Sequence, residues 1–166
     1  MPSSNNPLTL KPAPLAADAF APFGQVITAR ADGERFGPQD AQLDLGQGTP
    51  RFYIMRLSAR ALEIPRITRH RRVTQCLASV GGKDWWLVVA PPGDTPTVDD
   101  IRAFTVPGDV AVKLHVGTWH AGPYFAGDSA SFFNLELADT NQVDHDNLDL
   151  MDEFGCGLRL APASEG

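Results

Sequence analysis

The residue types able to do chemistry concentrate in Pro107-Gly108-Asp109-Val110-Ala111-Val112-Lys113-Leu114-His115-Val116-Gly117-Thr118-Trp119-His120. Alternation along a strand puts Lys113 and His115 on one face and Val112, Leu114 and Val116 on the other. Gly117 turns the chain, and His120 lies just beyond. A lysine near histidines offers a cation for a carboxylate and groups that exchange protons near neutrality. His70 sits inside a basic run, Arg66, Arg69, Arg71 and Arg72. A strand divides that run between two faces, so it reads as a solvated edge or a small anion site. His145 sits in Asp144-His145-Asp146, within the acidic segment from Asp139 to Phe154. That segment lacks the Gly and final Glu of an EF-hand loop. It reads as a solvated tail packing Leu148, Leu150, Met151 and Phe154 onto the domain. Asn134 and Glu136 share a strand face and can bring a carboxylate to the same cavity, or leave it facing water.

Positioning these groups falls to short strands punctuated by turns. Apolar segments at Arg51–Leu57, Arg66–Val80, Trp85–Ala90, Ile101–Val106, Val110–Val116 and Ser131–Leu137 are separated by Gly81-Gly82, Pro91-Pro92-Gly93-Asp94, Pro107-Gly108-Asp109 and Ala126-Gly127-Asp128. No long window after Arg51 follows a 3.6-residue period, which predicts an all-β sandwich or barrel. Helix is expected only around Ala16–Ala21 and as one turn before Ile101, with Phe23–Ile27 entering a strand. Residues 1–14 read as a polar, Pro-rich arm, 15–166 as a single domain, and 31–50 as a long loop.

Composition narrows the function. The 166 residues carry a net charge of −6, against nucleic-acid binding. The longest apolar run, Trp85–Ala90, is far short of the ~18 residues of a membrane span. The N-terminus lacks signal-peptide regions, so a cytoplasmic protein is expected. Cys76 and Cys156 have no CxxC spacing and read as reduced, inert thiols.

Two spacings resemble the cupin motifs. His115-Val116-Gly117-Thr118-Trp119-His120 matches PxGxxH with His115 in the proline slot. HxHx₄Ex₆G lies on Thr68, His70, Gln75 and Gly82. In that frame the metal-ligand slots hold Thr68, His70, Gln75 and His120, and two imidazoles with an amide hold a divalent ion weakly. The order of Arg69-His70-x₄-Gln75, Leu87-Val88-Val89-Ala90, Asp100-Ile101-Arg102-Ala103-Phe104 and Trp119-His120 resembles the ureidoglycolate lyases from about Phe20 to Leu137. Thr68 and Lys113 depart from that family's commoner Glu and amide. The resemblance implies a cupin-like double-stranded β-helix barrel and a homodimer. It also implies cleavage of (S)-ureidoglycolate to glyoxylate and urea in allantoin and purine catabolism. A weakly held divalent metal such as nickel, on His70, Gln75 and His120, is implied too, with no organic cofactor.

Ureidoglycolate is a carbinolamine bearing a carboxylate. Breaking it requires a base at the hydroxyl, an acid at the departing nitrogen and a cation at the carboxylate. His120 and His70 are the expected catalytic residues. Lys113 or Arg69 would hold the carboxylate, and Gln75 and His115 complete the expected substrate contacts. Two alternatives stand beside this reading. One is a metal-dependent cupin oxygenase or isomerase using His70, His120 and His115 or Glu136. The other is a non-catalytic binder of small acids.

Overall fold

A computed structural model of the chain describes residues 6–163. It opens with β1 (Leu8–Leu10), β2 (Ala13–Pro14), the one-turn helix α1 (Ala17–Phe20) and β3 (Gly24–Ile27). After the long loop come β4 (Pro50–Ser58), β5 (Glu63–Ile64), β6 (Arg66–Arg69) and β7 (Gln75–Ser79). Then follow β8 (Trp85–Ala90), β9 (Arg102–Val106), β10 (Ala111–Leu114), β11 (Trp119–Tyr124) and β12 (Ser129–Leu137). The C-terminal segment holds α2 (Thr140–Val143), β13 (Asp146–Asp149), α3 (Leu150–Phe154) and β14 (Leu158–Leu160).

The strands form three sheets, ordered β3-β10-β7-β12-β4, β13-β6-β11-β8-β9-β2 and β1-β14-β5. This is the expected all-β, cupin-like architecture, built from facing sheets that do not pair into a closed barrel among the described residues. Alternation explains the layering. Leu77, Val112, Leu114 and Phe132 of the five-stranded sheet meet Trp85, Leu87, Val89, Phe104 and Val106 of the six-stranded sheet in one core, capped by Phe20 and Phe23. The intervening residues of the six-stranded sheet, Val88, Ala90, Ala103 and Trp119, point the other way. There they pack against Ile64, Leu150, Leu158 and Leu160 in a second core.

Several expectations change. Arg66–Val80 is not one strand, because residues 70–74 turn between β6 and β7. The cause is distant in sequence: the Asp144 carboxylate accepts the backbone N–H of Arg71 at 2.7 Å and of Arg72 at 2.8 Å. β11 escaped the sequence pattern because Gly122 and Pro123 interrupt it, and they fall where the β11–β8 register shifts. Of the 1–14 arm, residues 1–5 lie outside the described residues, and the rest runs along the domain, with β1 paired to β14 and β2 to β9, both parallel. The acidic segment buries Leu150 fully, but Met151 stays 48% exposed. The 31–49 loop holds no strand, and the Gln25 side chain fixes it by donating to the carbonyls of Pro38 and Asp40 and accepting from the N–H of Gln42.

Candidate active site

Beside the apolar core, the space between the large sheets opens into a cavity of about 670 Å³. β7 contributes Gln75 and Leu77, β12 contributes Asn134 and Glu136, and β4 contributes Tyr53. β6 and β11 supply Thr68 and His120, and the turn after β6 supplies His70. Gln75, Asn134, Glu136, His70 and His120 are all buried. Arg60, Glu63, Arg66, Asn141, His145 and Asn147 form an exposed mouth.

Local geometry explains how the histidines are aimed. Gly117 takes φ +85°, a left-handed conformation suited to glycine, at the turn from β10 to β11. Its N–H donates to the His70 carbonyl at 2.7 Å, tying the two histidine-bearing segments together. The rings of His70 and His120 lie 5.1 Å apart, and that of His145 lies 5.7 Å from His70. His70 Nδ1 donates to the Asp144 carbonyl at 2.7 Å, and His120 Nδ1 donates to the Thr118 carbonyl at 3.2 Å. A carbonyl only accepts, so each Nδ1 carries the proton and each neutral ring keeps its Nε2 lone pair. Burial lowers the pKa of His70, partly offset by the Asp144 carbonyl and carboxylate. Burial and the neighbouring His70 push His120 down to about 3.

The cavity floor is a polar network. Gln75 Nε2 donates to Asn134 Oδ1 at 3.0 Å and reaches Glu136 Oε2 at 3.5 Å. Asn134 Nδ2 donates to the Tyr53 hydroxyl at 3.2 Å, and Asn141 Nδ2 to Glu136 Oε1 at 3.4 Å. Gln75 Oε1 is buried with no partner. Glu136, 1% exposed, makes no ion pair among the described residues, and burial raises its pKa.

The expected site residues divide sharply. His70, Gln75 and His120 come together in the cavity, while Lys113, His115 and Arg69 do not line it. Lys113 is only 4% exposed, although it stands on the outer face of the five-stranded sheet, in register with Cys76 and Gln25. Its Nζ donates to His115 Nδ1 at 2.9 Å, and His115 Nε2 donates to the Ala21 carbonyl at 2.9 Å. Val112 and Leu114 face the inter-sheet core, which leaves Lys113 on the opposite face of the sheet. Arg69 bonds to Asp146 at 3.1 Å and stacks over Trp119, its guanidinium carbon 4.7 Å from the ring centroid. Asp144 and His145, read from sequence as tail residues, belong to the site. Of the exposed cations at the mouth, Arg66 belongs to the basic run read from sequence as a solvated edge or a small anion site, whereas Arg60 had no sequence signal beyond its charge. The donor set does not fit a resident metal: His70 and His120 are joined by an amide, and no three His, Cys, Asp or Glu residues among those described are disposed to hold an ion.

Comparison with known proteins shows the family to which this chain belongs. Residues 7–154 match the family model described as "Ureidoglycolate lyase". A ureidoglycolate lyase of Pseudomonas aeruginosa strain LESB58 is 36% identical over 124 residues, covering 68% of this chain and 73% of that protein. Those of Pseudomonas syringae pv. tomato and Azotobacter vinelandii are 35% and 32% identical, covering 68% and 64% of this chain and 73% and 72% of theirs. The match spans both histidine-bearing segments and the strands that form the cavity floor, so this chain belongs to the ureidoglycolate lyase family.

Proposed function

We propose that this protein cleaves (S)-ureidoglycolate to glyoxylate and urea inside the cavity. The observation that carries the reading is the convergence of His70, Gln75 and His120 on one cavity in a chain of this family. His70 removes the hydroxyl proton through Nε2; it is the stronger base of the pair because Asp144 opposes the effect of burial. His120, neutral across the physiological range, accepts a hydrogen bond and orients the hydroxyl. As the C–O electrons form the carbonyl, the C–N bond breaks toward nitrogen. Glu136, whose pKa burial raises, serves as the acid that donates the proton to the departing ureido nitrogen. The proton on His70 then returns to Glu136 through solvent. Proton transfers of this kind contribute ~10²–10⁴-fold.

The test is incubation with racemic ureidoglycolate and assay of both products. Equimolar glyoxylate and urea from one enantiomer is the expected result. No turnover, or release of ammonia in place of urea, contradicts the reading.

The resemblance also motivates a homodimer. Its support lies on the outer face of the five-stranded sheet, where Phe52 is 65% and Ile54 56% exposed and the Phe52 ring stacks on Phe133 at 5.8 Å. No helix among the described residues is long and apolar enough to cross a membrane. Two free thiols, Cys76 and Cys156, are compatible with a cytoplasmic setting.

A further inference from the structure

The polar groups of the cavity are not mixed; they are segregated by depth and by hydrogen-bonding character. At the mouth, Arg60 and Arg66 are the cations with no ion pair or side-chain hydrogen bond among the described residues. The other arginines of the same stretch are all engaged. Arg69 and Arg71 share Asp146, and Arg72 donates to the Gln47 carbonyl. The mouth carboxylate Glu63 is paired with Arg159 at 3.0 Å and so does not neutralise Arg60 or Arg66. At the floor no cation among the described residues lines the cavity: Arg51, the β4 register partner of Glu136, has its guanidinium stacked over the Tyr53 ring at 3.7 Å. Gln75 instead presents a buried amide oxygen with no donor. Leaving such an acceptor unpaired is unfavourable, and a ligand N–H reaching that depth relieves it.

We infer that the cavity binds its substrate in one orientation, the carboxylate at Arg60 and Arg66 in the mouth and the ureido N–H groups at Gln75 Oε1 on the floor. The inference rests on the ureidoglycolate reading and adds to it what selects the two ends. Reversing the ligand would bring a carboxylate against Gln75 Oε1, an acceptor facing an acceptor, and leave the arginines unused. The chosen orientation places the departing nitrogen beside Glu136 and the carbinol carbon between floor and mouth, where His70 and His120 project.

The test uses the two product fragments as separate probes, glyoxylate and urea, titrated singly into the intact protein and followed by protein-observed NMR. Arg60→Met and Arg66→Met should each weaken glyoxylate about five- to tenfold and leave urea unchanged. Gln75→Leu should weaken urea at least threefold and leave glyoxylate unchanged. In the wild type, which covers the case of a variant that does not fold, urea should shift the Gln75 side-chain amide signal and glyoxylate the Arg60 and Arg66 Nε–H signals. Loss of both fragments in one variant, loss of neither, or the opposite crossing overturns the inference. The readout is binding, so it is separable from the functional reading. Turnover without the crossed pattern removes the orientation alone, and the crossed pattern without turnover removes the lyase reading alone.

Discussion

The two halves of the inter-sheet space are built by the same strands and differ in what those strands point inward. Along β12, the inward positions run Phe132, Asn134, Glu136; the first is in the aromatic core and the others are on the cavity floor. β7 does the same with Leu77 and Gln75. One half is closed by Phe20, Phe23, Trp85, Phe104, Phe125 and Phe132, whose rings meet edge-on or tilted at 5.2 to 5.9 Å. The other half is hydrogen-bonded, has an orphan acceptor, and leaves about 670 Å³ unfilled. A step of two residues along a strand therefore separates a group that stabilises from a group that binds. The apolar half provides the rigidity that holds the polar half in register.

The largest effect should come from breaking the closed half. Phe132→Ala should cost about 3–5 kcal/mol in urea denaturation, as lost transfer energy and a cavity that the surrounding rings fill only partly. A loss below about 1 kcal/mol would mean that the aromatic cluster is loosely packed and the division between the halves is weaker than described.

The polar half should appear as a pH dependence. Folded His120 titrates near 3 against 6.5 for an ordinary histidine, so on acidification the unfolded chain takes its proton first. Its contribution to stability is complete above pH 6.5 and drains as pH falls toward 3. At pH 5 the loss is roughly 2 kcal/mol, from 1.36 kcal/mol per unit. His70 acts in the same direction. Glu136 acts oppositely: its raised folded pKa gives a contribution complete below 4.5 that fades as pH rises through the folded value. Melting temperature should therefore drop between pH 7 and 5, and His120→Gln should flatten that drop. An unchanged slope in the variant would place the pH dependence elsewhere.

The outer face of the five-stranded sheet offers the smallest change in stability. Phe52→Ser should alter the folding free energy by no more than about 0.5 kcal/mol, since the side chain is exposed in the single chain. By light scattering at micromolar concentration the wild type should have a dimer's mass and the variant a monomer's. A monomeric wild type removes the dimer proposal.

Most of the fold was legible because strand alternation and turn residues are local signals. Trp85–Ala90 needed no correction, and β4, β9 and β12 shifted only at their ends. What was hidden depends on partners far along the chain. The break at residues 70–74 is made by Asp144, which nothing near Arg71 announces. Lys113 and His115 were correctly placed together, as their 2.9 Å hydrogen bond shows, but alternation does not say which of a strand's two faces looks into the cavity. His70, Gln75 and His120 were found by motif spacing, which encodes a shared strand geometry. His145, Arg60 and Arg66 reach the cavity through tertiary packing and have no periodic signature.

The central claim is that the polar half of the inter-sheet space is the reaction chamber, with His70 as its base. The most direct measurement compares steady-state kinetics on ureidoglycolate for folded His70→Gln and Lys113→Met. The account predicts that His70→Gln lowers kcat by ~10²-fold or more while Lys113→Met changes kcat and KM less than about twofold. Near wild-type kcat in a folded His70→Gln protein, or a large loss in Lys113→Met alone, would contradict it.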